Sequence, residues 1–225
     1  MSVVEKQGSY GAYFGSNFDS SSPCNYEQQK VNALYIYSFL SDEGWTINSI
    51  AALLGNMQAE SSINPGRWQN DDVGNYNLGY GLVQWTPVSK YTEWVAEEIL
   101  GDPAEMDNNL LRILYEVRNR IQWYATDEYD LSFEEFTQST LSPSYLAESF
   151  LINYERPADQ SDSVKQYRGE LADAWYTFLS GEEPIEPEPD PEETTKIKKR
   201  RFNFMLFKRR INVWTKKHSY RQFRR

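Results

Sequence analysis

Apolar and polar positions follow a helical period over most of the first 180 residues. In the segment from Ile47 to Met57, for example, apolar side chains recur every three or four positions and polar residues lie between them. A helix with this spacing gathers its apolar residues on one face. The pattern predicts helices over residues 27–40, 47–60, 86–101, 106–124, 132–139, 143–154 and 164–179.

Several of these helices carry recognisable start signals. Thr46 stands before the second helix, and the Thr86-Pro87 pair opens the third as an N-cap followed by a first-turn proline. Ser132 and Glu135 have the spacing of a capping box at the start of the fifth helix. Because the caps agree with the periodicity, we expect a helical domain.

One stretch, between residues 64 and 85, lacks the helical period. Leu78, Tyr80, Leu82 and Gln84 alternate there with other residues, two of which are glycines. Alternation of this kind is typical of a short hairpin or an irregular strand pair. The sequence therefore predicts a mainly α fold with a small β-hairpin, directly after the second helix.

The composition excludes several reaction classes. The chain has one cysteine, Cys24, and one histidine, His218, which lies in a basic segment near the end. A disulfide framework needs pairs of cysteines, and a histidine-ligated zinc site needs several histidines. A catalytic triad needs a histidine in the folded core, and the sole histidine lies in the tail. We therefore expect no cofactor and no metal, and an enzyme built on this chain would use mainly carboxylates, tyrosine and serine.

Charge divides the chain into three parts. Up to Gly181 there are 10 Lys and Arg against 26 Asp and Glu. The stretch "EEPIEPEPDPEE" that follows has 7 acidic residues and no basic ones, and the remaining residues include 13 basic and no acidic ones. Alternating proline and like charge favour extended chain. We expect an N-terminal arm (1–26), a folded domain (27–180), an acidic linker (181–194) and a basic aromatic tail (195–225).

No stretch reaches the run of about 18 apolar residues that a membrane-spanning helix requires. The first residues also lack a basic start followed by an apolar run, so we expect no conventional export signal.

Glu60 is the leading candidate for catalysis. It follows the core position Met57 by three residues, at the edge of the buried face, and lies in the last turn of its helix. Partial burial and the negative end of the helix dipole both disfavour a charged carboxylate there. A protonated glutamate can donate its proton to a leaving oxygen, as a glycosidase requires. An exposed glutamate at a fraying helix end is the alternative.

The segments around Glu60 resemble a known family. "GWTINSIAALLGNMQAESSINPGRWQ", "GYGLVQWTP" and "NYERP" occur in the order found in the tail-associated lysozymes of short-tailed phages of Gram-positive bacteria, within the goose-type and lytic transglycosylase branch of the lysozymes. The resemblance covers residues 29–179. It implies a lysozyme-like fold and a glycosidase domain over residues 27–180 that cleaves peptidoglycan.

The resemblance also assigns roles to single positions. Glu60 matches the family glutamate that protonates the oxygen between two sugars, and the Ser61 hydroxyl helps to hold the site. Further substrate-binding residues, from the hairpin and from "NYERP", are Tyr80, Gly81, Gln84 and Tyr154. Trp68 and Trp85 either stack on sugar faces or belong to the core.

A second carboxylate is needed only if the enzyme is an inverting hydrolase, whose base activates water. Asp71 and Asp72 lie between Glu60 and the hairpin, and Asp72 is our candidate. A solvated loop with an Asx-turn before Gly74 is the alternative. Without a base, the N-acetyl or 6-hydroxyl group of the sugar can complete the reaction, as in a lytic transglycosylase.

The resemblance implies a virion-borne enzyme that is assembled in the host cytoplasm and opens the cell wall during infection. An endolysin or a non-catalytic wall-binding tail protein are alternatives. Expected partners are peptidoglycan and other tail proteins, and for the basic tail an anionic membrane or DNA. Many relatives carry a zinc peptidase after the linker. The basic tail has no carboxylate and one histidine, so we expect no peptidase activity.

Overall fold

The computed structural model describes residues 4–182, of which 55% are helical. The helices of this region are α1 (Tyr26–Asp42), α2 (Ile47–Ser61), α3 (Ser89–Trp94), α4 (Met106–Asn119), α5 (Phe133–Gln138), α6 (Pro143–Phe150) and α7 (Asp162–Ser180). Helix α3 continues as a π-helical turn over Val95–Ile99, and α6 as another over Leu151–Glu155. The strands are β1 (Val4–Gly8) and β2 (Gly11–Gly15), which pair antiparallel. The linker beyond Glu182 and the basic tail lie outside the described residues.

Two predicted helix starts are confirmed in atomic detail. The Thr46 side chain accepts a hydrogen bond from the Ser49 backbone N–H at the start of α2. At α5, Ser132 and Glu135 form the reciprocal capping box. Each contact satisfies a backbone donor that has no partner inside its helix.

Two helix ends differ from prediction. Helix α3 begins at Ser89, because Thr86 does not cap it and instead donates a hydrogen bond to the Gln84 carbonyl oxygen at 2.9 Å. Helix α4 ends at Asn119, because Arg120 adopts left-handed backbone angles (φ 53°). The predicted apolar stripe therefore does not continue to Tyr124, whose side chain is 64% exposed.

The mainly α fold with a small β-hairpin is confirmed, but the hairpin lies elsewhere in the chain. Strands β1 and β2 belong to the segment expected to be an N-terminal arm, and this hairpin packs on the helices. Tyr13 is fully buried, and the Asn32 side chain of α1 both accepts from the Phe14 N–H and donates to the Phe14 carbonyl at 2.7 Å.

The loop predicted as a hairpin is held by single bridges. Tyr80 pairs with Trp68 and with Trp85, but no continuous ladder forms. Gly81 (φ 81°) and Gln84 (φ 52°) have left-handed backbone angles, which interrupt an extended strand. We call residues 78–86 the cleft loop.

Helix α2 runs through the centre of the domain and packs against α7, α6 and α1. Its residues from Ile50 to Leu54 are fully buried. At Gly55 the backbone of α7 comes so close that an added Cβ would lie 2.8 Å from the Ala172 nitrogen. The glycine thus sets the spacing of the two helices whose side chains form the site described below. No helix in the described region is both long and apolar enough to cross a membrane.

Candidate active site

Glu60 lies in the last turn of α2, at the wall of a cavity of about 350 Å³. The helix ends at Ser61, and the following residue, Ser62, turns left-handed (φ 55°) with its N–H bonded back to the Met57 and Gln58 carbonyl oxygens. The Glu60 side chain lines the cavity and is 25% exposed, so it is partly covered by its neighbours. The position matches the prediction of a carboxyl group at the edge of the buried face.

An arginine that sequence reasoning missed contacts Glu60 directly. Arg168 of α7 is 7% exposed and donates a hydrogen bond through Nη2 to Glu60 Oε1. Its Nη1 donates to the Asn56 carbonyl oxygen at 2.8 Å, which fixes the guanidinium against α2. A guanidinium stabilises a carboxylate. This contact therefore opposes partial burial and the helix dipole, which both disfavour a charged carboxylate at Glu60.

A second glutamate, also missed, lies beside this ion pair. Glu155 ends the π-helical turn after α6, lines the cavity, and has a side chain that is 6% exposed. Arg168 Nη2 lies 3.5 Å from Glu155 Oε2. Burial raises the pKa of Glu155 to about 8, and the nearby Glu60 carboxylate adds to this effect while Arg168 opposes it. Its place in "NYERP", next to Tyr154, was the available signal.

The cleft loop supplies the facing wall of the cavity through Gln84 and Trp85. Gln84 Nε2 donates to the carbonyl oxygens of Arg67 (3.1 Å) and Gly81 (2.9 Å), which fixes the amide. Its Oε1 is buried and has no partner among the described residues. A buried oxygen of this kind offers a hydrogen-bond acceptor to a bound hydroxyl or amide group.

Tyr154 is among the residues that line the cavity, but its hydroxyl is engaged elsewhere. It donates to Glu116 Oε2 at 2.5 Å. Trp85 Nε1 and Arg112 Nε donate to the other oxygen of Glu116, at 3.0 and 2.9 Å. Glu116 is 1% exposed, and burial raises its pKa although these partners counteract the effect. This network anchors two cavity residues to α4.

Ser61 and Gly81 attach the cleft loop to the helices. The Ser61 hydroxyl is placed to donate to the carbonyl oxygens of Met57 and Leu82, each at 2.9 Å. A Cβ on Gly81 would lie 2.6 Å from Asn109 Oδ1, the atom that accepts the Leu82 N–H at 3.0 Å. Both residues act on the site through the backbone, by holding the cleft loop beside Glu60.

Five predicted residues are not among those that line the cavity: Ser61 and Gly81, described above, and Trp68, Asp72 and Tyr80. Trp68 and Tyr80 are core residues, 1% and 0% exposed, with ring centroids 5.0 Å apart. Trp85 is also nearly buried, at 4%, but borders the cavity. Asp72 is exposed and accepts a hydrogen bond from Asn75 Nδ2 at 2.8 Å. Its role as a base stays a prediction.

The fold brings together Glu60, Glu155 and Arg168, whose side chains can hold and transfer a proton. A carboxylate, a buried carboxyl group and a guanidinium meet at one end of a polar cavity, and the central helix of a mainly α domain ends there. Within residues 4–182, no three His, Cys, Asp or Glu side chains are grouped so as to hold a metal ion. A mainly α domain with a carboxyl group at the end of its central helix, beside a polar cavity, fits the lysozyme-like class that the sequence motifs indicate.

Comparison with known proteins agrees with that class. The phage tail lysozyme family matches residues 31–179, and the chain belongs to this family. It is also 48% identical over 155 residues to morphogenesis protein 1 of Bacillus phage B103. That alignment covers 69% of the present chain and 41% of the relative, so the chain spans less than half of that protein. The resemblance to tail lysozymes of phages of Gram-positive bacteria is thus confirmed.

Proposed function

We propose that this protein is a virion-borne glycosidase that cleaves the β-1,4 bond between N-acetylmuramic acid and N-acetylglucosamine in peptidoglycan. It would open the cell wall during infection. Family membership supports a lysozyme-like activity in the phage tail. The observation that carries the proposal is Glu60, the more exposed of two carboxyl groups at the end of a polar cavity.

The chemistry needs one proton donor at the scissile bond. Glu60 donates a proton to the bridging oxygen, the bond from that oxygen to the anomeric carbon breaks, and an oxygen nucleophile completes the exchange. Unpartnered acceptors in the wall, such as Gln84 Oε1, would bind sugar hydroxyl or N-acetyl groups. A volume of about 350 Å³ is at the lower end of the range for small-molecule sites and suits a short saccharide segment.

The nucleophile is either water, in a hydrolase, or the sugar's own 6-hydroxyl group, in a lytic transglycosylase. Asp72 is our proposed base for water. It lies near the cavity, because its backbone N–H donates to the carbonyl oxygen of the cavity residue Gln69 at 3.1 Å. Its exposure outside the wall favours the transglycosylase as the second candidate, since that reaction requires no such base.

Mass spectrometry of the fragments released from purified Bacillus peptidoglycan tests the proposal. Reducing ends would identify a hydrolase and 1,6-anhydro ends a transglycosylase, and either product supports a glycosidase. Fragments cut only within the peptide, or no fragments, would refute it. In that case the non-catalytic wall-binding protein becomes the better account.

The proposed place of action is the phage tail. The name of the Bacillus phage relative, morphogenesis protein 1, supports a role in particle assembly and hence contact with other tail proteins. Quantitative mass spectrometry of purified virions distinguishes this role from that of an endolysin. We expect the chain in purified particles at a fixed ratio to other tail proteins. Its presence only in the lysate would favour the endolysin.

A further inference from the structure

Glu155 is a buried acid that has no role in the reaction proposed above. Its side chain is 6% exposed, and both carboxyl oxygens are without a hydrogen-bond donor among residues 4–182. A buried carboxylate normally has such donors, since desolvation of the charge is costly. Glu155 instead meets Glu60 at a single donor, since Arg168 Nη2 bonds to Glu60 Oε1 and lies 3.5 Å from Glu155 Oε2. Two carboxyl groups this close to one guanidinium repel each other unless one of them carries a proton.

The charges around this pair favour a single bound proton. Arg168 contacts Glu60 directly and lies 3.5 Å from Glu155, so one guanidinium serves two carboxyl groups. If both were ionised, the cluster would hold a net negative charge with one member desolvated. One proton neutralises the cluster. Glu60 has the direct contact with Arg168 and the greater exposure, so Glu155 holds the proton while the cavity is empty.

The other charged groups near the cavity do not replace Arg168. Lys90 of α3 lines the cavity, but no ion pair joins it to either glutamate. Arg156 donates to the carbonyl oxygens of Gln122 and Asn153 and lies 4.4 Å from the Tyr124 ring.

Behind the wall, the Tyr154 hydroxyl is bound to Glu116 of α4, whose other oxygen accepts from Arg112. These groups are paired with one another. Glu60 and Arg168 are therefore the charges that act most directly on Glu155.

We infer that Glu155 is a positioning residue that acts through Glu60, by keeping within the pair the proton that Glu60 delivers to the glycosidic oxygen. The inference rests on the proposed function. The proton on Glu155 passes to Glu60, and Glu60, the more exposed member, gives it to the leaving oxygen as the bond to the anomeric carbon breaks. The water or 6-hydroxyl group that attacks the anomeric carbon releases one proton, which returns to the pair. The enzyme thus ends with the proton it began with.

The pH profile of cleavage in a Glu155→Gln variant tests this inference. Glutamine keeps the shape but carries no transferable proton, so the pair no longer holds a proton that Glu60 can deliver. We expect the alkaline limb of the rate profile to move to lower pH by at least one unit. The loss of rate should be at least about tenfold at pH 7 and much smaller near pH 4.5.

Glu116→Gln is the matched control, because Glu116 is also a buried glutamate beside an arginine but has its donors satisfied. We expect it to lower stability and leave the pH of the alkaline limb unchanged. If Glu155→Gln lowers the rate equally at every pH, as a merely structural residue would, the inference is wrong.

A measurement without turnover separates the inference from the proposed function. In full-length protein with ¹³C-labelled glutamate carboxyl groups, NMR should show a glutamate that titrates well above the ordinary range and whose titration shifts in Glu60→Gln but not in Glu116→Gln. This holds even if Glu155→Gln does not fold. An inactive wild-type protein with this titration refutes the glycosidase alone, whereas the absence of a raised titration that responds to Glu60→Gln refutes the inference.

Discussion

The contact between α2 and α7 at Gly55 allows a quantitative test of how the fold positions the site. In Gly55→Ala the new Cβ would lie 2.8 Å from the Ala172 nitrogen and 3.0 Å from the Arg168 carbonyl oxygen. Both are backbone atoms of a packed helix, so α7 itself must move. Arg168 is on that helix, and its displacement would weaken the contact with Glu60.

Two opposing effects determine how much Gly55→Ala changes the free energy of unfolding. Alanine in a helix interior is favoured over glycine by about 1 kcal/mol. Overpacking of a close contact costs about 1–3 kcal/mol, and strain on the charged Arg168–Asn56 hydrogen bond, 2.8 Å long, adds to it. We therefore expect a net destabilisation of roughly 2 kcal/mol, which lowers the melting temperature of a domain of this size by about 4–8 °C.

Gly169→Ala is the matched control, because Gly169 also lies in α7 but its new Cβ would meet the Ser144 side chain at 3.1 Å. That contact is with the Ser144 Cβ and is relieved by a shift of a few tenths of an ångström, while alanine gains helix propensity, so this variant should stay within about 1 kcal/mol of wild type. Thermal unfolding followed by circular dichroism, with cleavage rates at 25 °C, compares the two. A Gly55→Ala protein as stable and as active as Gly169→Ala would refute the reasoning.

Three further predictions concern single groups. Ser61→Ala leaves the Leu82 carbonyl oxygen without its hydroxyl partner, and chemical denaturation should show a loss of about 1–3 kcal/mol; an unchanged unfolding midpoint would contradict this. Because folding raises the pKa of Glu155, its contribution to stability is complete below about pH 4.5 and is lost as the pH rises towards about 8. The unfolding free energy of wild type, measured across this range, should therefore fall relative to that of Glu155→Gln. Asp72→Asn should abolish reducing-end release if Asp72 is the base, and an unchanged rate excludes it.

Local signals in the sequence predicted the helices well. Thr46 and the Ser132–Glu135 pair specify helix starts through contacts within a few residues, and the structure has both. The end of α4 was missed, because the left-handed turn at Arg120 overrides an apolar period that continues beyond it. The N-terminal hairpin was also missed. Its contacts with Asn32 and with Met106 of α4 are long-range and leave no local period.

The candidate site was predicted only in part. Glu60 and Gln84 lie where the motifs placed them, beside the same cavity. Arg168 was missed because it approaches Glu60 from a helix 108 positions further along the chain. Trp68 could not be assigned from its type alone, since an aromatic residue serves equally as a core side chain or a sugar platform. Burial, which only the structure provides, places it in the core.

The central claim is that Glu60 delivers the proton that breaks the glycosidic bond. Glu60→Gln keeps the shape of the side chain and removes the acid. The decisive measurement is the rate at which this variant and wild type release glycan ends from purified peptidoglycan, with melting temperatures recorded for both. We predict a rate at least about 100-fold below wild type and a melting temperature within a few degrees of it. A folded Glu60→Gln protein that releases glycan ends at the wild-type rate would contradict the claim.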